Sequence, residues 1–232
     1  MFLYVLRLPF VIDMLKLPIF RKFGVHIIGK HKNTVNYKDS LLTGRIDFKS
    51  GEDNVVTIGK NTKFSGTLTI EGSNNVVSMG KNCIFRGEIL IKGDGQTVAI
   101  GDHTTTGGGT YILCSEGCNV LIGNYCMFSR DVEIRTTDAH ALIDRNTRER
   151  INPAASVNIG DHVWIGVRSV ITKGAVVPTD TTIGAMSFVS GKFDEESTVL
   201  AGVPAKVIRR DITWNRGRRK KYSLKQMDAW QQ

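Results

Sequence analysis

An unbroken six-residue period in the second half of the chain constrains the fold more than any other feature. Each bulky aliphatic residue of this period follows, by two positions, a small or β-branched one. Neither the 3.6-residue period of a helix nor the two-residue alternation of an isolated strand explains the pattern. It predicts a triangular solenoid, in which each side is a short parallel strand that sends one aliphatic residue into a buried column. The aliphatic positions are Ile159, Ile165, Ile171, Val177, Ile183 and Val189, and their partners are Val157, Val163, Ser169, Ala175, Thr181 and Ser187.

The first half of the chain repeats the same theme more loosely. Aliphatic–glycine pairs at Ile58, Met79, Ile100 and Ile122 are separated by 21, 21 and 22 residues. These spacings indicate coils with a few extra residues at one corner, and the turn-rich stretches EGSNN and KGDGQ, which begin at positions 71 and 92, are the insertions. A β-sandwich would instead show turn signals every ~8–12 residues, so the sequence favours an all-β solenoid.

The charge of the chain divides it into three parts. Residues 1–32 carry +5 and residues 206–221 carry +7, whereas residues 33–205 carry −3. We therefore expect an N-terminal cap over 1–39, one solenoid domain over 40–205 and a basic, helical tail over 206–232. Nucleic acid is not an expected partner, because the middle of the chain lacks a continuous basic and aromatic face.

The two ends of the chain leave alternatives open. The apolar and basic segment 1–23 is predicted to be a helical cap over the first coil or a peripheral contact with the inner membrane. It lacks the cleavage site of a signal peptide and is too interrupted to span a bilayer. The four cysteines have no zinc-site spacing, and we expect them to be reduced structural thiols of a cytoplasmic protein.

The six-residue rhythm stops between Ile134 and Val157, and a polar excursion over residues 136–156 takes its place. Loops that project from a rigid scaffold are a common place for chemistry. This excursion contains one histidine, His140, with Asp138 and Asp144 nearby. His140 is the candidate catalytic residue, and either aspartate is a candidate to orient its ring or simply to cap loop amides.

Four motifs resemble those of hexapeptide-repeat acyltransferases, particularly bacterial capsule, O-antigen and exopolysaccharide O-acetyltransferases. The resemblance covers roughly residues 40–210. The motifs are IRTTDAH at 134–140, RINPA at 150–154, VNIGDHVWIG at 157–166 and AGVPAKVI at 201–208. The resemblance implies a left-handed parallel β-helix with a projecting active-site loop, and a homotrimer whose active sites lie between subunits. The handedness comes from the resemblance, since crossover connections are usually right-handed.

The resemblance also implies the roles of individual residues. His140 matches the family's catalytic histidine, and Trp164 would stand near the site of acyl transfer and contact the donor. The resemblance does not assign the group that orients His140, for which Asp138 remains the preferred candidate. The acetyl-CoA donor would lie along the last coils. Its pantetheine arm would approach Gly184, Ala185 and Gly202, and its phosphates would meet Lys206 and Arg209, although a solvated basic face remains an equal alternative for the arginine.

The expected chemistry is direct acetyl transfer to a carbohydrate hydroxyl. Sugar hydroxyls are weak acids, so attack on a thioester needs a base, and imidazole suits that role near neutral pH. We expect neither a metal nor an acyl-enzyme. The acceptor is predicted to be a polysaccharide or a lipid-linked glycan. N-acetylation of an amino sugar remains the nearest alternative, and a zinc lyase or a non-enzymatic solenoid fits the residues less well.

Overall fold

The computed structural model describes residues 24–29 and 31–231 of the 232-residue chain. In this part of the chain the strands form one fourteen-stranded sheet and one seven-stranded sheet. Together they build a left-handed parallel β-helix of about eight turns, as the repeat and the resemblance predicted. The predicted cap or membrane contact over residues 1–23 lies outside the described residues.

One side of the triangular prism is the seven-stranded sheet, in which every pair of neighbours is parallel. Its register joins equivalent positions of successive coils, so that Val56 lies beside Val77 and Val77 beside Val98. The strands are β2 (Thr34–Asn36), β4 (Val55–Ile58), β6 (Val76–Met79), β8 (Thr97–Ile100), β11 (Val120–Ile122), β14 (Val157–Ile159) and β17 (Val176–Val177).

The larger sheet covers the other two sides of the prism. In the first coils one long strand runs along both sides, and these strands are β3 (Leu41–Ser50), β5 (Lys63–Glu71) and β7 (Ile84–Lys92). Later coils use a separate short strand for each side. The second side has β9 (Thr105–Thr106), β12 (Met127–Phe128), β15 (Trp164–Ile165), β18 (Thr182–Ile183) and β20 (Val199–Gly202). The third side has β1 (Val25–Ile28), β10 (Thr110–Ser115), β13 (Glu133–Arg135), β16 (Val170–Ile171) and β19 (Phe188–Val189).

Glycines allow the long strands to turn the corner between the two sides. Gly44, Gly66 and Gly87 are stacked in register. A Cβ added to Gly66 would lie 1.9 Å from the carbonyl oxygen of Gly87, and one added to Gly44 would lie 2.0 Å from that of Gly66. Only a residue without a side chain fits this close approach of backbones. The corner therefore depends on the glycine column.

The predicted six-residue period is confirmed by burial. Ile165, Ile171, Ile183 and Val189 are fully buried, and the other aliphatic positions are at most 4% exposed. Their small partners are also buried, with Ser187 at 2% the most exposed of them. Each coil thus adds one layer to a continuous apolar core, whose burial stabilises by about 25 cal/mol per Å² of apolar surface.

The first coils carry a ladder of buried amide side chains beside the apolar core. The Oδ1 atom of Asn33 accepts from the backbone N–H of Asn54 at 3.0 Å, and Oδ1 of Asn54 accepts from that of Asn75 at 2.9 Å. Asn75 continues the ladder to the N–H of Gln96 at 2.9 Å. Side-chain Nδ2 atoms of Asn54 and Asn75 also donate to glycine carbonyls one coil away. These bonds hold the turns that contain the predicted insertions.

The structure moves both boundaries of the predicted solenoid domain. The strand β1 already pairs in parallel with β3, so stacking begins at Val25 rather than at residue 40. At the other end, β21 (Ala205–Arg209) pairs antiparallel with β20 and closes the last coil. The predicted helical tail over 206–232 is instead this strand, an extended segment, one helical turn α1 (Leu224–Met227) and a 3-10 turn at Ala229–Gln231. No helix of the described residues is both long and apolar enough to span a bilayer.

Candidate active site

The excursion at 136–156, here called the arch, leaves the third side of the prism after β13 and returns at β14. Its tip is a short antiparallel hairpin, in which Ile143 and Arg150 form a bridge and Ile151 donates its N–H to the carbonyl of Leu142 at 2.9 Å. Asp144 caps the turn, since its Oδ1 atom accepts from the N–H groups of Asn146 and Thr147. The arch is therefore ordered by an antiparallel hairpin and a side-chain cap, whereas the coils are ordered by parallel pairing between turns.

His140 lies on the leg of the arch that follows β13. Ala139, directly before it, has a φ of 65°, which is unusual for a residue with a side chain and bends the chain sharply. The side chain of His140 is exposed and borders a groove with a volume of about 800 Å³. The groove lies between the arch and the outer surface of the third side of the prism.

The floor of the groove combines apolar and basic side chains. Leu90, Tyr111 and Leu113 come from successive strands of the third side, where outward-facing residues stand in register. Burial raises the pKa of Tyr111, so its hydroxyl remains protonated over a wide pH range. The remaining lining residues are Lys92, Ser115, Glu116, Arg135, Thr137, Ala139, His140, Ala141 and Arg150.

A hydrogen-bonded cluster holds the neck of the arch. Nδ2 of Asn152 donates to Oδ2 of Asp138 at 2.8 Å and to the carbonyl oxygen of His140 at 2.9 Å. Lys173, from the following coil, donates to the same Asp138 oxygen at 2.6 Å and to the carbonyl of Asn152 at 3.1 Å. The hydrogen bond from Lys173 holds the pKa of Asp138 below its usual range, and Asn152 contributes in the same direction.

A second anchor ties the arch to the preceding coil. The carboxylate of Glu116 accepts two hydrogen bonds from the guanidinium of Arg150 and one from the hydroxyl of Thr137. The bond from Arg150 is the main reason that the pKa of Glu116 lies below its usual range. One carboxylate thus joins the two legs of the arch at a fixed separation.

The two aspartates considered for orienting the histidine have different surroundings. Asp144 caps the hairpin turn and has the loop-structuring role that was one of its two predicted roles. Asp138 is committed to Lys173 and Asn152. Within residues 24–29 and 31–231, no side chain makes a hydrogen bond to the ring of His140. Its orienting group stays a prediction.

Trp164 lies on the second side of the prism, in β15, and not in the groove that His140 borders. Its neighbours in register are Met127 and Thr182. The side chain is exposed over 36% of its surface, and its ring centroid lies 6.1 Å from that of Trp214 in the tail. The indole is therefore an accessible ring on the side of the prism where the C-terminal segment returns.

The tail is fixed by a buried stack around His162. The imidazole lies between the rings of Trp214 and Trp230, with centroids 4.3 Å and 4.4 Å away. Its Nδ1 atom is 2.8 Å from Oδ1 of Asp180, and Trp214 donates to the carbonyl of His162 at 2.7 Å. His162 thus has a structural surrounding.

The residues predicted to contact the donor lie at the C-terminal end of the prism. Gly184 and Ala185 form the corner after β18, and the carbonyl of Gly184 accepts from the hydroxyl of Ser187 at 2.7 Å. The same hydroxyl accepts from the N–H of Gly202 at 3.2 Å, so these two corners are joined. Lys206 and Arg209 are exposed on β21. None of these residues lines the groove beside His140 within the described chain.

The cysteines have the surroundings of structural thiols. Cys83, Cys114 and Cys126 are buried and Cys118 is half-buried, all without a disulfide. Burial raises the pKa of Cys114 and of Cys126 to about 12, so neither is a thiolate at neutral pH. A nucleophilic role for these two residues is therefore unfavourable.

Sequence reasoning missed the residues that hold the arch. Asn152 belongs to the RINPA motif but was given no role, although an asparagine in a polar loop often hydrogen-bonds to nearby backbone groups. Glu116 and Lys173 meet the arch only because coils stack in register, which the linear sequence does not display. Tyr111 was missed for the same reason.

Comparison with known proteins gives strong similarity along most of the chain, although no family model matches it. A polysialic acid O-acetyltransferase of Neisseria meningitidis is 32% identical over 197 residues, which cover 83% of this chain and 91% of that protein. The polysialic acid O-acetyltransferase of Escherichia coli O1:K1 is 39% identical over 112 residues. These cover 48% of this chain, and only 36% of the length of that relative is matched.

Two solved structures share the architecture. The polySia-specific acetyltransferase NeuO superposes with a TM-score of 0.74 at 32% identity, covering 87% of this chain and 90% of that one. The polysialic acid O-acetyltransferase OatWY superposes with a TM-score of 0.75 at 28% identity, covering 86% and 93%. In both cases the similarity extends over more than four-fifths of each chain.

Proposed function

Because the chain belongs to the hexapeptide-repeat acetyltransferases, the family of the polysialic acid O-acetyltransferases, we propose that it acetylates a hydroxyl of an acidic capsule polysaccharide. Acetyl-CoA is the donor, His140 is the general base, and a polymer of sialic acid is the first acceptor to test. The observation that carries the proposal is the exposed imidazole of His140 beside a groove. It lies in a chain that is 32% identical to a polysialic acid O-acetyltransferase, and the match covers 91% of that relative's length.

The groove is suited to a sugar residue in size and in chemistry. Small-molecule sites usually enclose ~300–1,000 Å³, and the volume of this groove lies in that range. Leu90, Tyr111 and Leu113 offer a surface for the apolar face of a pyranose ring. Lys92, Arg135 and Arg150 line the groove and can contact an anionic acceptor, although each of them also lies in an ion pair with a glutamate.

The reaction follows from the chemistry of the groups. His140 accepts the proton of an acceptor hydroxyl as its oxygen attacks the thioester carbonyl, and a tetrahedral intermediate forms. Collapse of the intermediate breaks the carbon–sulfur bond, and the imidazolium returns the proton to the departing CoA thiolate. The products are the acetyl ester and free CoA, so no metal or acyl-enzyme is needed. A backbone N–H at a coil corner is the proposed donor to the oxyanion.

A homotrimer would complete the site. The His140 groove lies on the third side of the prism, whereas Trp164 is on the second side and Gly184, Ala185, Gly202, Lys206 and Arg209 are at its end. A second copy of the chain that brings its second side to the groove would supply these residues for the donor. The chain is proposed to act in the cytoplasm, with a peripheral membrane contact through residues 1–23 where the acceptor is lipid-linked.

The experiment that tests the function uses the full chain, acetyl-CoA and polysialic acid, with dextran as a neutral polymer of similar length. We expect release of CoA thiol with polysialic acid and little with dextran, and mass spectrometry should show added acetyl groups on the acidic polymer. Mild alkali should remove them, because esters hydrolyse under conditions that leave amides intact. Alkali-stable acetyl groups would favour the N-acetyltransferase alternative, and equal rates with both polymers would contradict an acidic acceptor.

A further inference from the structure

The side-chain amide of Asn152 occupies the place of a missing strand beside His140. Its Oδ1 atom accepts from the N–H of Leu142 at 2.6 Å, and its Nδ2 atom donates to the carbonyl of His140 at 2.9 Å. In a β-ladder a neighbouring strand offers one donor and one acceptor to alternate residues in this way. The amide therefore holds the backbone on both sides of Ala141.

No other hydrogen bond within the described residues fixes His140. The hairpin pairing ends at the bond between Ile151 and Leu142, and Pro153, which follows Asn152, has no N–H to continue it. The residue before His140 is Ala139, in a left-handed conformation that bends the chain. The backbone of His140 itself is therefore held by one hydrogen bond, from Asn152, while the N–H of Ala139 before it is bound to the hydroxyl of Thr137 at 3.0 Å.

Asn152 is itself held firmly enough to serve as a reference point. The residue is 7% exposed. Its two Nδ2 hydrogens go to Asp138 and to His140, and its oxygen accepts from the N–H of Leu142 and from Nε of Arg150 at 3.3 Å. All the hydrogen-bonding capacity of the amide is thus used, and a fully satisfied buried network is rigid. Lys173 secures the same cluster from the following coil.

We propose that Asn152 is a positioning residue for the acetyl transfer, which sets the location of the His140 imidazole through the backbone of the arch. The inference rests on the proposed function only in that it takes His140 as the general base. Asn152 itself does not touch the reacting atoms. Because a general base must reach the proton within a hydrogen-bond distance, a displacement of about 1 Å is enough to lower the rate about 100-fold.

The substitution Asn152→Asp tests the proposal with almost no change of shape. It keeps an acceptor for Leu142 but removes both donors, and it places a negative oxygen against the carbonyl of His140 and the carboxylate of Asp138. We expect kcat to fall about 10- to 100-fold while KM for acetyl-CoA stays within about twofold, since the donor site is untouched. Asn146→Asp, the same change at the exposed tip of the same arch, is the control and should retain the wild-type kcat.

A second variant and a second measurement separate positioning from folding. Asn152→Ala removes the amide without adding charge. If the aspartate variant does not fold, the kcat and the ring spectra of the alanine variant test the positioning role instead. In NMR spectra of histidine ring carbons, with His140→Ala for assignment, we expect the His140 signal to shift or broaden in both variants while the His162 signal stays in place. A wild-type kcat in both variants, or equal disturbance of His140 and His162, would overturn the proposal.

The two readouts also distinguish this inference from the proposed function. If the wild-type protein shows no transfer to any polymer tested, the assigned activity has failed, yet the ring spectra still report whether Asn152 fixes His140. If transfer is observed but the spectra and kcat of both variants are unchanged, the positioning role fails and the activity stands.

Discussion

The coils and the arch of this molecule are stabilised in contrasting ways. In the coils each backbone group bonds to its equivalent one turn away, as where the N–H of Trp164 donates to the carbonyl of Thr181 and that of Val170 to Ser187. In the arch such bonds are few, and single side chains replace them. Asn152 and Asp144 each accept from backbone N–H groups that no neighbouring coil reaches, and Glu116 of the preceding coil accepts from side chains of the arch.

This difference means that the stability of the protein depends mainly on the coils and its activity mainly on the arch. A substitution in the coils removes one of many equivalent interactions, although its cost to stability is large because the core is continuous. A substitution in the arch costs the fold little, but the interaction that it removes has no duplicate. We therefore expect substitutions in the arch to alter activity at constant stability, and substitutions in the core to lower stability before they alter the chemistry.

The largest effect is expected for His140→Ala. Removal of a general base commonly lowers the rate about 100- to 10,000-fold, and here we expect less than about one per cent of wild-type transfer. The melting temperature should not change, because the ring is exposed and makes no hydrogen bond within the described residues. Initial rates of CoA release and a thermal melt measure both. Activity above about one per cent in a folded variant would assign the proton transfer to another group.

A substitution in the apolar column should give the opposite result. Ile165 is fully buried, and Ile165→Ala should lower the free energy of unfolding by about 2–5 kcal/mol. The kcat of the protein that remains folded should stay close to wild type. Ile143→Ala, at the exposed hairpin of the arch, is the matched control and should change stability by less than about 0.5 kcal/mol. Denaturant titration compares them, and equal reductions in stability would show that the arch is part of the core.

Breaking the buried amide ladder of the first coils should lower the stability of the protein by an intermediate amount. Asn54→Ala leaves the N–H of Asn75 and the carbonyl of Gly72 without their partners inside the fold. An unsatisfied buried group costs about 1–3 kcal/mol, and we expect the stability to fall by an amount in that range. The exposed Asn146→Ala provides a reference. A decrease below about 0.5 kcal/mol would mean that water enters the turn and replaces the amide.

The smallest expected effect is the loss of stability of the arch in acid, when the carboxylates of Asp138 and Glu116 that anchor it become protonated. The pKa values of Asp138 and Glu116 are lowered in the folded protein, so both anchors contribute fully above the ordinary values of 3.8 and 4.5. Their contribution disappears as pH falls through the lowered folded values. Each anchor is exposed enough to contribute at most about 1 kcal/mol. Hydrogen exchange of arch peptides, compared with residues 157–177, should show the arch opening first in acid.

The sequence allowed a correct prediction wherever the periodicity was local. Six residues separate Ile159 from Ile165, and that spacing alone placed both in the core. The arch was visible because the same rhythm stopped at Ile134 and resumed at Val157. The role of His140 was assigned partly from its isolation in the arch and partly from the family resemblance, and it stays a prediction.

Features that depend on stacking between coils could not be predicted. Lys173 and Glu116 are 35 and 22 residues from Asp138, and only the register of the sheets brings them to the arch. The start of the solenoid was placed at residue 40, because the hexad rhythm is absent where β1 pairs with the long strand β3. The tail was expected to be helical, but it is mostly extended. Its path is set by the stacking of Trp214 and Trp230 on His162, a contact between distant segments that local sequence does not reveal.

The reversal of the chain at β21 has a consequence for how the protein behaves at high concentration. Parallel coils can in principle add without limit, as they do in fibrous assemblies, because each exposed edge is a template for the next. At this end the outermost strand runs against the direction of every coil beneath it, and Ala205 closes the apolar column. On this side of the prism a second molecule would therefore meet a reversed strand instead of the parallel template that a coil offers, which disfavours end-to-end stacking.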